Sequence, residues 1–328
     1  MPKGVCHESQ EICTAATRGK AAACESLDTS QREADDAAND FMKLACTLLA
    51  ALMLAAPAAL HADPAKLEPD AQLTLEFPEL PATYYEQKTG KKTVPMLSTQ
   101  LPENYTADKT FPLFVFIDGG NGGAGGNASF ARRIIGARDF IAVNLPLFKD
   151  AKAKPPSLPG VSVNMGYIIN SNDATVLGSS YRVMLEKLAQ TIPNIDASRS
   201  TLGGFSNGAH ATSVLAAAKD EYILSHFTAF VLLEGGIGFA LNPSSLQDPA
   251  LKGHRFIVLY GDTDKDPKQQ IQRTLVGGPM VLLMVQQAHA AGLDLTHIVM
   301  RGHGHEQPAE YLKLIGAWAR GETLPEVK

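Results

Sequence analysis

Between Ala71 and the C-terminus the spacing of hydrophobic positions changes repeatedly, and each change marks an element. Leu73 to Phe77 and Thr93 to Leu101 alternate apolar with polar residues, the period of amphipathic strands, with Gly90-Lys91-Lys92 as the turn between them. The continuous apolar runs Pro112 to Ile117 and Phe140 to Leu147 read as strands buried on both faces, as do Phe227 to Leu233 and Arg255 to Tyr260. Helical spacing covers Asp173 to Gln190, with Asp173 as a candidate N-cap, and returns over Asn207 to Lys219, Pro279 to Ala291 and Pro308 to Ala319. Thr201 to Phe205 is a strand that runs straight into a helix, and Leu295 to Met300 is the last strand. Strands alternating with helices predict an α/β fold, a mostly parallel central sheet with helices on both faces. The first strands have no helix between them and are expected to be antiparallel at one edge.

The N-terminal sixty residues break this pattern. Residues 1–41 carry four basic and eight acidic side chains and few large apolar ones, too little apolar surface to offset the entropy of ordering. Met42-Lys43 then leads into an almost unbroken apolar run from Leu44 to Leu60 that ends in small residues, the make-up of a secretory signal peptide with cleavage after Ala58 or Ala62. The run is shorter than the roughly 20 residues a bilayer requires and contains Pro57, which argues against a membrane span. Cys46 lies at the start of the run, whereas a lipid-modified cysteine would lie at its end. The expected organisation is an N-terminal extension over 1–41, a signal peptide over 42–62 starting at Met42, and one domain over 63–328, secreted or periplasmic, without a stable membrane anchor after cleavage. Cys6, Cys13, Cys24 and Cys46 all precede the cleavage site, so the mature domain has neither a disulfide nor a cysteine metal site.

Composition narrows the function classes. The 328 residues are 45% hydrophobic and 19% charged, enough apolar material for a sizeable core. The formal net charge is −5 and no basic stripe occurs, so nucleic acid is not an expected partner.

The chemistry centres on Gly204-Phe205-Ser206-Asn207-Gly208, a G-x-S-x-G placed between a strand and a helix. That is the setting of a nucleophile elbow, whose sharp turn exposes the serine hydroxyl above the sheet. A serine nucleophile needs a base, and the base needs an orienting acid. Downstream, the strand ending at Tyr260 is followed by Asp262, Asp264 and Asp266, three carboxylate candidates at the sheet rim where open α/β sheets build their sites. After the last strand come His303 and His305, both candidates for the base. His210, His226, His254, His289 and His297 fall in or beside earlier elements and are less well placed. The i, i+2 histidine pair lacks a third ligand at metal-site spacing, so no metal or other cofactor is expected. Backbone N–H groups for an oxyanion are expected from Asn207, which follows the nucleophile, and from Gly119 and Gly120 in the Asp118 to Gly123 loop. A phosphate-binding reading of that loop fails, because neither a P-loop signature nor a Rossmann acid accompanies it.

With these residues the chain, from about Leu73 to its end, resembles the α/β-hydrolase superfamily. Within it, the chain is similar to the secreted single-domain esterases related to polyhydroxybutyrate depolymerases and to feruloyl or acetylxylan esterases. The resemblance implies that the acid stands three residues after the glycine ending its strand, which gives Asp264, with Asp262 as the alternate. It implies a histidine after glycine leading into the last helix, which gives His305, with His303 as the alternate. Many relatives have histidine before the oxyanion glycines, where this chain has Asp118, so that carboxylate must turn away if an anion is to be bound nearby.

The expected function is hydrolysis of a carboxylic ester through an acyl-serine intermediate, on a small-molecule or polysaccharide-linked ester. The segment from Glu234 to His254 is too short for a large apolar lid, which argues against a true lipase. A serine peptidase or a dienelactone-type hydrolase would use the same triad, and a non-catalytic secreted binding protein could be built on the same scaffold.

Overall fold

The computed structural model describes residues 67–154, 165–267, 270 and 277–324. The extension over 1–41, the signal peptide over 42–62 and all four cysteines lie outside the described residues.

The described part is built on an eight-stranded sheet in the order β1-β2-β4-β3-β5-β6-β7-β8. Its strands are β1 (Gln72–Glu76), β2 (Met96–Gln100), β3 (Leu113–Ile117), β4 (Ile141–Asn144), β5 (Thr201–Phe205), β6 (Ala229–Leu233), β7 (Arg255–Gly261) and β8 (Asp294–Met300). β1 runs antiparallel to β2 and β2 antiparallel to β4, while β4, β3, β5, β6, β7 and β8 are parallel. The expected sheet, mostly parallel with antiparallel first strands, is therefore present.

The helices are α1 (Tyr84–Thr89), α2 (Ser129–Ile135), α3 (Ala174–Thr191), α4 (Asn207–Ala217), α5 (Glu221–His226), α6 (Ile237–Leu241), α7 (Gly278–Ala290) and α8 (Ala309–Ala319). They cover both faces. Within β3, Leu113, Val115 and Ile117 point into one core, while Phe114 and Phe116 point into the other, the two-residue alternation of a strand buried on both sides. The first core is closed by α3 through α7, with Leu177, Tyr181, Val214, Ile223, Phe239 and Met284 among its members. The second is closed by α2 and α8, through Ile134, Ile135, Tyr311, Ile315 and Trp318. Each such apolar side chain, fully buried, contributes about 1.5–3 kcal/mol of transfer free energy. Among the described residues, no helix is long and apolar enough to cross a membrane.

Four expectations are corrected. Gly90 does not turn between two strands; at φ 69° it is the left-handed C-cap of α1, a six-residue helix whose start is capped by the Thr83 hydroxyl accepting from the Glu86 N–H. The strand expected over Thr93 to Leu101 is shorter, and so is the one over Phe140 to Leu147. Asp173 precedes α3 but its side chain does not cap it. Instead it closes a capping box with Asn170 one turn earlier and meets Lys149.

Candidate active site

β5 delivers Ser206 to the carboxyl rim of the sheet, and α4 departs immediately after it. The turn demands a backbone that ordinary residues avoid: Ser206 sits at φ 54°, ψ −116°. It is held there by surrounding contacts, because its N–H donates to Leu233 O at 2.9 Å and its carbonyl accepts from the His210 N–H at 2.9 Å. The flanking glycines are required by close approach. A Cβ on Gly204 would lie 2.3 Å from the Gly208 carbonyl carbon, and one on Gly208 would lie 2.1 Å from Ile117 O. Alanine at either position would push α4 away from the sheet.

The loop after β8 brings His305 over this turn. Its Nε2 lies 2.9 Å from Ser206 Oγ. Phe205, the residue between Gly204 and Ser206, packs under the imidazole with ring centroids 4.9 Å apart. His303 faces away from the serine: its Nδ1 lies 2.9 Å from Glu306 Oε1, its Nε2 lies 3.1 Å from Glu310 Oε1, and its ring stands edge-on to Tyr311. The hydrogen bond from His303 holds the Glu306 carboxyl below the ordinary range. Two neighbouring histidines thus have distinct partners, one on the elbow and one on α8.

The carboxylate that faces His305 is not one of the aspartates after β7. It is Glu234, the first residue after β6, whose Oε2 lies 3.2 Å from His305 Nδ1. The Glu234 side chain is fully buried, its backbone takes φ 56°, and its other carboxylate oxygen accepts from the Gly261 N–H. A buried carboxylate is tolerated when such donors satisfy its oxygens. The expectation that Asp264 would meet His305 Nδ1 is thereby corrected. Asp264 lies close to the histidine loop, where a Cβ on Gly304 would come within 3.7 Å of Asp264 Oδ2, but it is engaged in its own turn. Its Oδ1 accepts from the Asp266 N–H, and its N–H donates to Gln270 Oε1. Asp262, the alternate, accepts from the Gly302 N–H at 2.7 Å and so ties the β7 loop to the β8 loop. The physical reason is reach. β6 is hydrogen-bonded directly to β5, and a glutamate on it is long enough to pass beneath the imidazole.

Asn207, Gly119 and Gly120 converge at the elbow. Gly119 packs against Ser206, since a Cβ there would lie 3.1 Å from Ser206 Cβ. The Asn207 N–H opens α4 and is one of the donors a helix N-terminus leaves without an intrahelical acceptor. Its side chain is nearly buried and acts as a staple: Nδ2 donates to Gly120 O at 2.6 Å and to Tyr167 O at 2.8 Å, while Oδ1 accepts from the Ile169 N–H at 3.2 Å. The Tyr167–Ile169 strap is anchored in turn by the buried Asp173, whose Oδ2 lies 2.9 Å from Lys149 Nζ, while that ammonium also donates to Ile168 O at 2.7 Å. Asp118 does turn away from the glycine loop, its Oδ2 accepting from Asn144 Nδ2 at 3.3 Å. Burial raises the Asp118 carboxyl above the usual aspartate range, against a smaller lowering by the Asn144 hydrogen bond.

Sequence reasoning missed Glu234, the Asn207 side-chain staple and Phe205. Glu234 had a signal, being the single acid that ends a five-residue apolar strand and precedes Gly235-Gly236. Among the described residues, no three His, Cys, Asp or Glu side chains are grouped so that they could hold a metal ion.

No protein-family model matches the chain, and no curated protein is similar to it in sequence. Solved structures do resemble it. One is a thermostable esterase, 14% identical with a TM-score of 0.45, covering 77% of this chain; this chain spans 63% of that protein. Another is LpqC, a poly(3-hydroxybutyrate) depolymerase from Bordetella parapertussis, 17% identical over 80% of this chain and 97% of its own, with a TM-score of 0.47. A third is the feruloyl esterase module from Clostridium thermocellum, 14% identical over 76% of this chain and 87% of its own, with a TM-score of 0.45. What this chain does must be read from its own site. Its strand order, its antiparallel first strands and the sharp strand-to-helix turn at Ser206 are those of an α/β-hydrolase fold.

Proposed function

We propose that the chain is a serine hydrolase that cleaves carboxylic esters through an acyl-serine intermediate, with Ser206 as nucleophile, His305 as general base and Glu234 as the acid that orients it. The observation that carries this reading is Ser206 Oγ at 2.9 Å from His305 Nε2, on a backbone at positive φ, with a buried carboxylate at the other ring nitrogen. A base within about 2.6–3.2 Å of the proton it removes is at working distance.

In the proposed reaction His305 Nε2 takes the Ser206 proton as Oγ attacks the ester carbonyl carbon. Glu234 stays ionised; it holds the proton on Nδ1, leaving Nε2 free to accept, and stabilises the imidazolium that forms. The carbonyl oxygen becomes an anion, met by N–H groups of Asn207, Gly119 and Gly120; one such donor is worth about 3–4 kcal/mol. His305 then hands its proton to the departing alkoxide, and a water activated by the same nitrogen releases the acid.

The substrate in this reading is a soluble ester, of a small molecule or linked to a sugar polymer. The β6–β7 connection holds only α6 and two short 3-10 turns rather than an apolar lid. Export through the signal peptide at Met42 belongs to the same proposal. The test is labelling by a fluorophosphonate probe, which reacts with an activated serine whatever the substrate, run beside hydrolysis of p-nitrophenyl esters. Labelling is expected on Ser206 and not in Ser206→Ala; no labelling of the wild-type chain overturns the reading.

A further inference from the structure

The Asn207 side chain makes three hydrogen bonds one residue after Ser206, and the reaction above uses none of them. Its amide nitrogen donates to Gly120 O at 2.6 Å and to Tyr167 O at 2.8 Å, and its Oδ1 accepts from the Ile169 N–H at 3.2 Å. Two carbonyl partners require the NH2 group on that side, so the amide has one orientation and both of its donors are in use. Tyr167 O has a second partner, the Tyr84 hydroxyl at 3.1 Å. Gly120 has no such support. It is exposed, it sits at φ 62°, and a Cβ built on it would meet nothing within 4 Å.

Gly120 is the second residue of a β-turn, closed by the Gly122 N–H donating to Gly119 O at 3.0 Å. Its φ is positive while that of Asn121 is not, the pattern of a type II′ turn. A half-turn of the central peptide, Gly120–Asn121, gives the type I′ turn, in which both residues take positive φ. Glycine accepts that value freely and asparagine is among the residues that tolerate it, so this sequence fits both turns. The closing bond is common to both and selects neither. Among the described residues, the central peptide makes one hydrogen bond, from Asn207 Nδ2 to Gly120 O, and that bond exists in one turn only.

The choice of turn bears on the proposed oxyanion site, because Gly119 packs this loop against Ser206. A trans peptide carries its C=O and N–H on opposite edges. The nearly buried Asn207 draws the carbonyl edge inward, which leaves the N–H edge on the outer side of an exposed loop. A flipped peptide would present a carbonyl oxygen there, beside the groups proposed to meet an anion. We infer that the Asn207 side chain is a positioning residue, which holds the glycine loop in the turn that keeps the Gly120 carbonyl away from a developing oxyanion. One residue then supplies a backbone donor and, through its side chain, sets the loop that supplies the others.

The inference rests on the serine-hydrolase reading, and its test separates the two. Asn207→Ala keeps the backbone donor and removes the staple. With a p-nitrophenyl ester, kcat is expected to fall about 10- to 100-fold, no more than outright loss of an oxyanion donor costs, while KM moves by about threefold or less. Rescue tests the turn itself. Asn121→Thr keeps an oxygen for the Gly123 N–H, which Asn121 Oδ1 accepts at 3.1 Å, but a β-branched residue at positive φ is costly and disfavours the type I′ turn. Measured against Asn121→Thr alone, adding Asn207→Ala should cost about threefold or less in kcat. If Asn207→Ala does not fold, Asn207→Ser, also too short to reach both carbonyls, takes its place in each measurement. A kcat within about twofold of wild type overturns the inference, and so does a loss confined to KM. A loss that Asn121→Thr leaves undiminished overturns it as well, since the side chain would then act without selecting the turn. Failure of a fluorophosphonate probe to label the wild-type chain instead removes the hydrolase reading itself.

Discussion

Two loops at the carboxyl rim of the sheet offer carboxylates near the same histidine, and they are built on opposite principles. The loop after β6 has one, Glu234, with a fully buried side chain, a left-handed backbone and donors on both of its oxygens. The loop after β7 has three, Asp262, Asp264 and Asp266, in a turn whose bonds run largely to its own backbone and to Gly302. Position at a strand end admits both loops equally. What separates them is burial and reach: Glu234 is enclosed with donors on both oxygens, and in such a low-dielectric setting its interaction with the imidazole is strongest. Number of acids and family spacing point to the β7 loop, whereas the packing points to β6.

The largest expected effects set the scale for testing that difference. Ser206→Ala and His305→Ala should each lower kcat by about 10⁶-fold, the loss seen when a comparable nucleophile or base is removed. Glu234→Gln should then cost about 10⁴-fold, since an amide favours the wrong tautomer. Asp264→Asn is expected to lose less than tenfold. Turnover of a p-nitrophenyl ester measured on all four variants, each with its thermal midpoint, decides between the loops. A dead Asp264→Asn beside an active Glu234→Gln would reverse the assignment. Glu234→Asp sharpens the point about reach: withdrawing the carboxylate by one methylene should cost about 100-fold, as a misplacement of about 1 Å does.

The histidine pair gives a smaller, parallel contrast. His303 is bonded to Glu306 and Glu310 on the side of α8, so His303→Ala should retain more than a tenth of wild-type kcat. Its main effect should be on stability, by about 1 kcal/mol or less, the usual yield of surface ion pairs. Denaturant midpoints measure it.

The legible parts of the fold were those in which one period held for a whole element. β3, β6 and β7 are runs of apolar residues buried on both faces, and α3 and α8 are long enough to show helical spacing. α1, α5 and α6 have five or six residues each, fewer than two turns, so no period could announce them. In the site, Ser206 was marked by glycines that steric contact requires, and His305 by chain order and its place before α8. Glu234 was hidden because a sequence gives strand ends but not which side chain passes under which ring. Its positive φ and its bond to Gly261 arise only when β6 and β7 lie side by side.

A carboxylate on a third rim loop, Asp118 after β3, extends the comparison to its weakest case. Glu234 is buried with strong partners, whereas Asp118 is half-buried with a 3.3 Å bond to Asn144. Its carboxyl is raised by burial, so the folded protein holds this proton more tightly than the unfolded chain does. Native stability from this group is therefore fullest below the unfolded aspartate value, declines as pH rises from there through the raised folded value, and is level above it. Once ionised, the group is a net cost, and it stands one residue before the glycines proposed to meet an oxyanion. Asp118→Asn removes the charge and keeps a partner for Asn144. The expected result is a gain in stability at pH 7 of about 1 kcal/mol or less, the scale of one hydrogen bond, with no gain below the unfolded aspartate value. Unfolding by urea at pH 7 and at pH 3 measures the difference. An equal effect at both pH values would show that the charge is not the cause, and a loss at pH 7 would mean that the ionised Asp118 is better satisfied than its bond to Asn144 indicates.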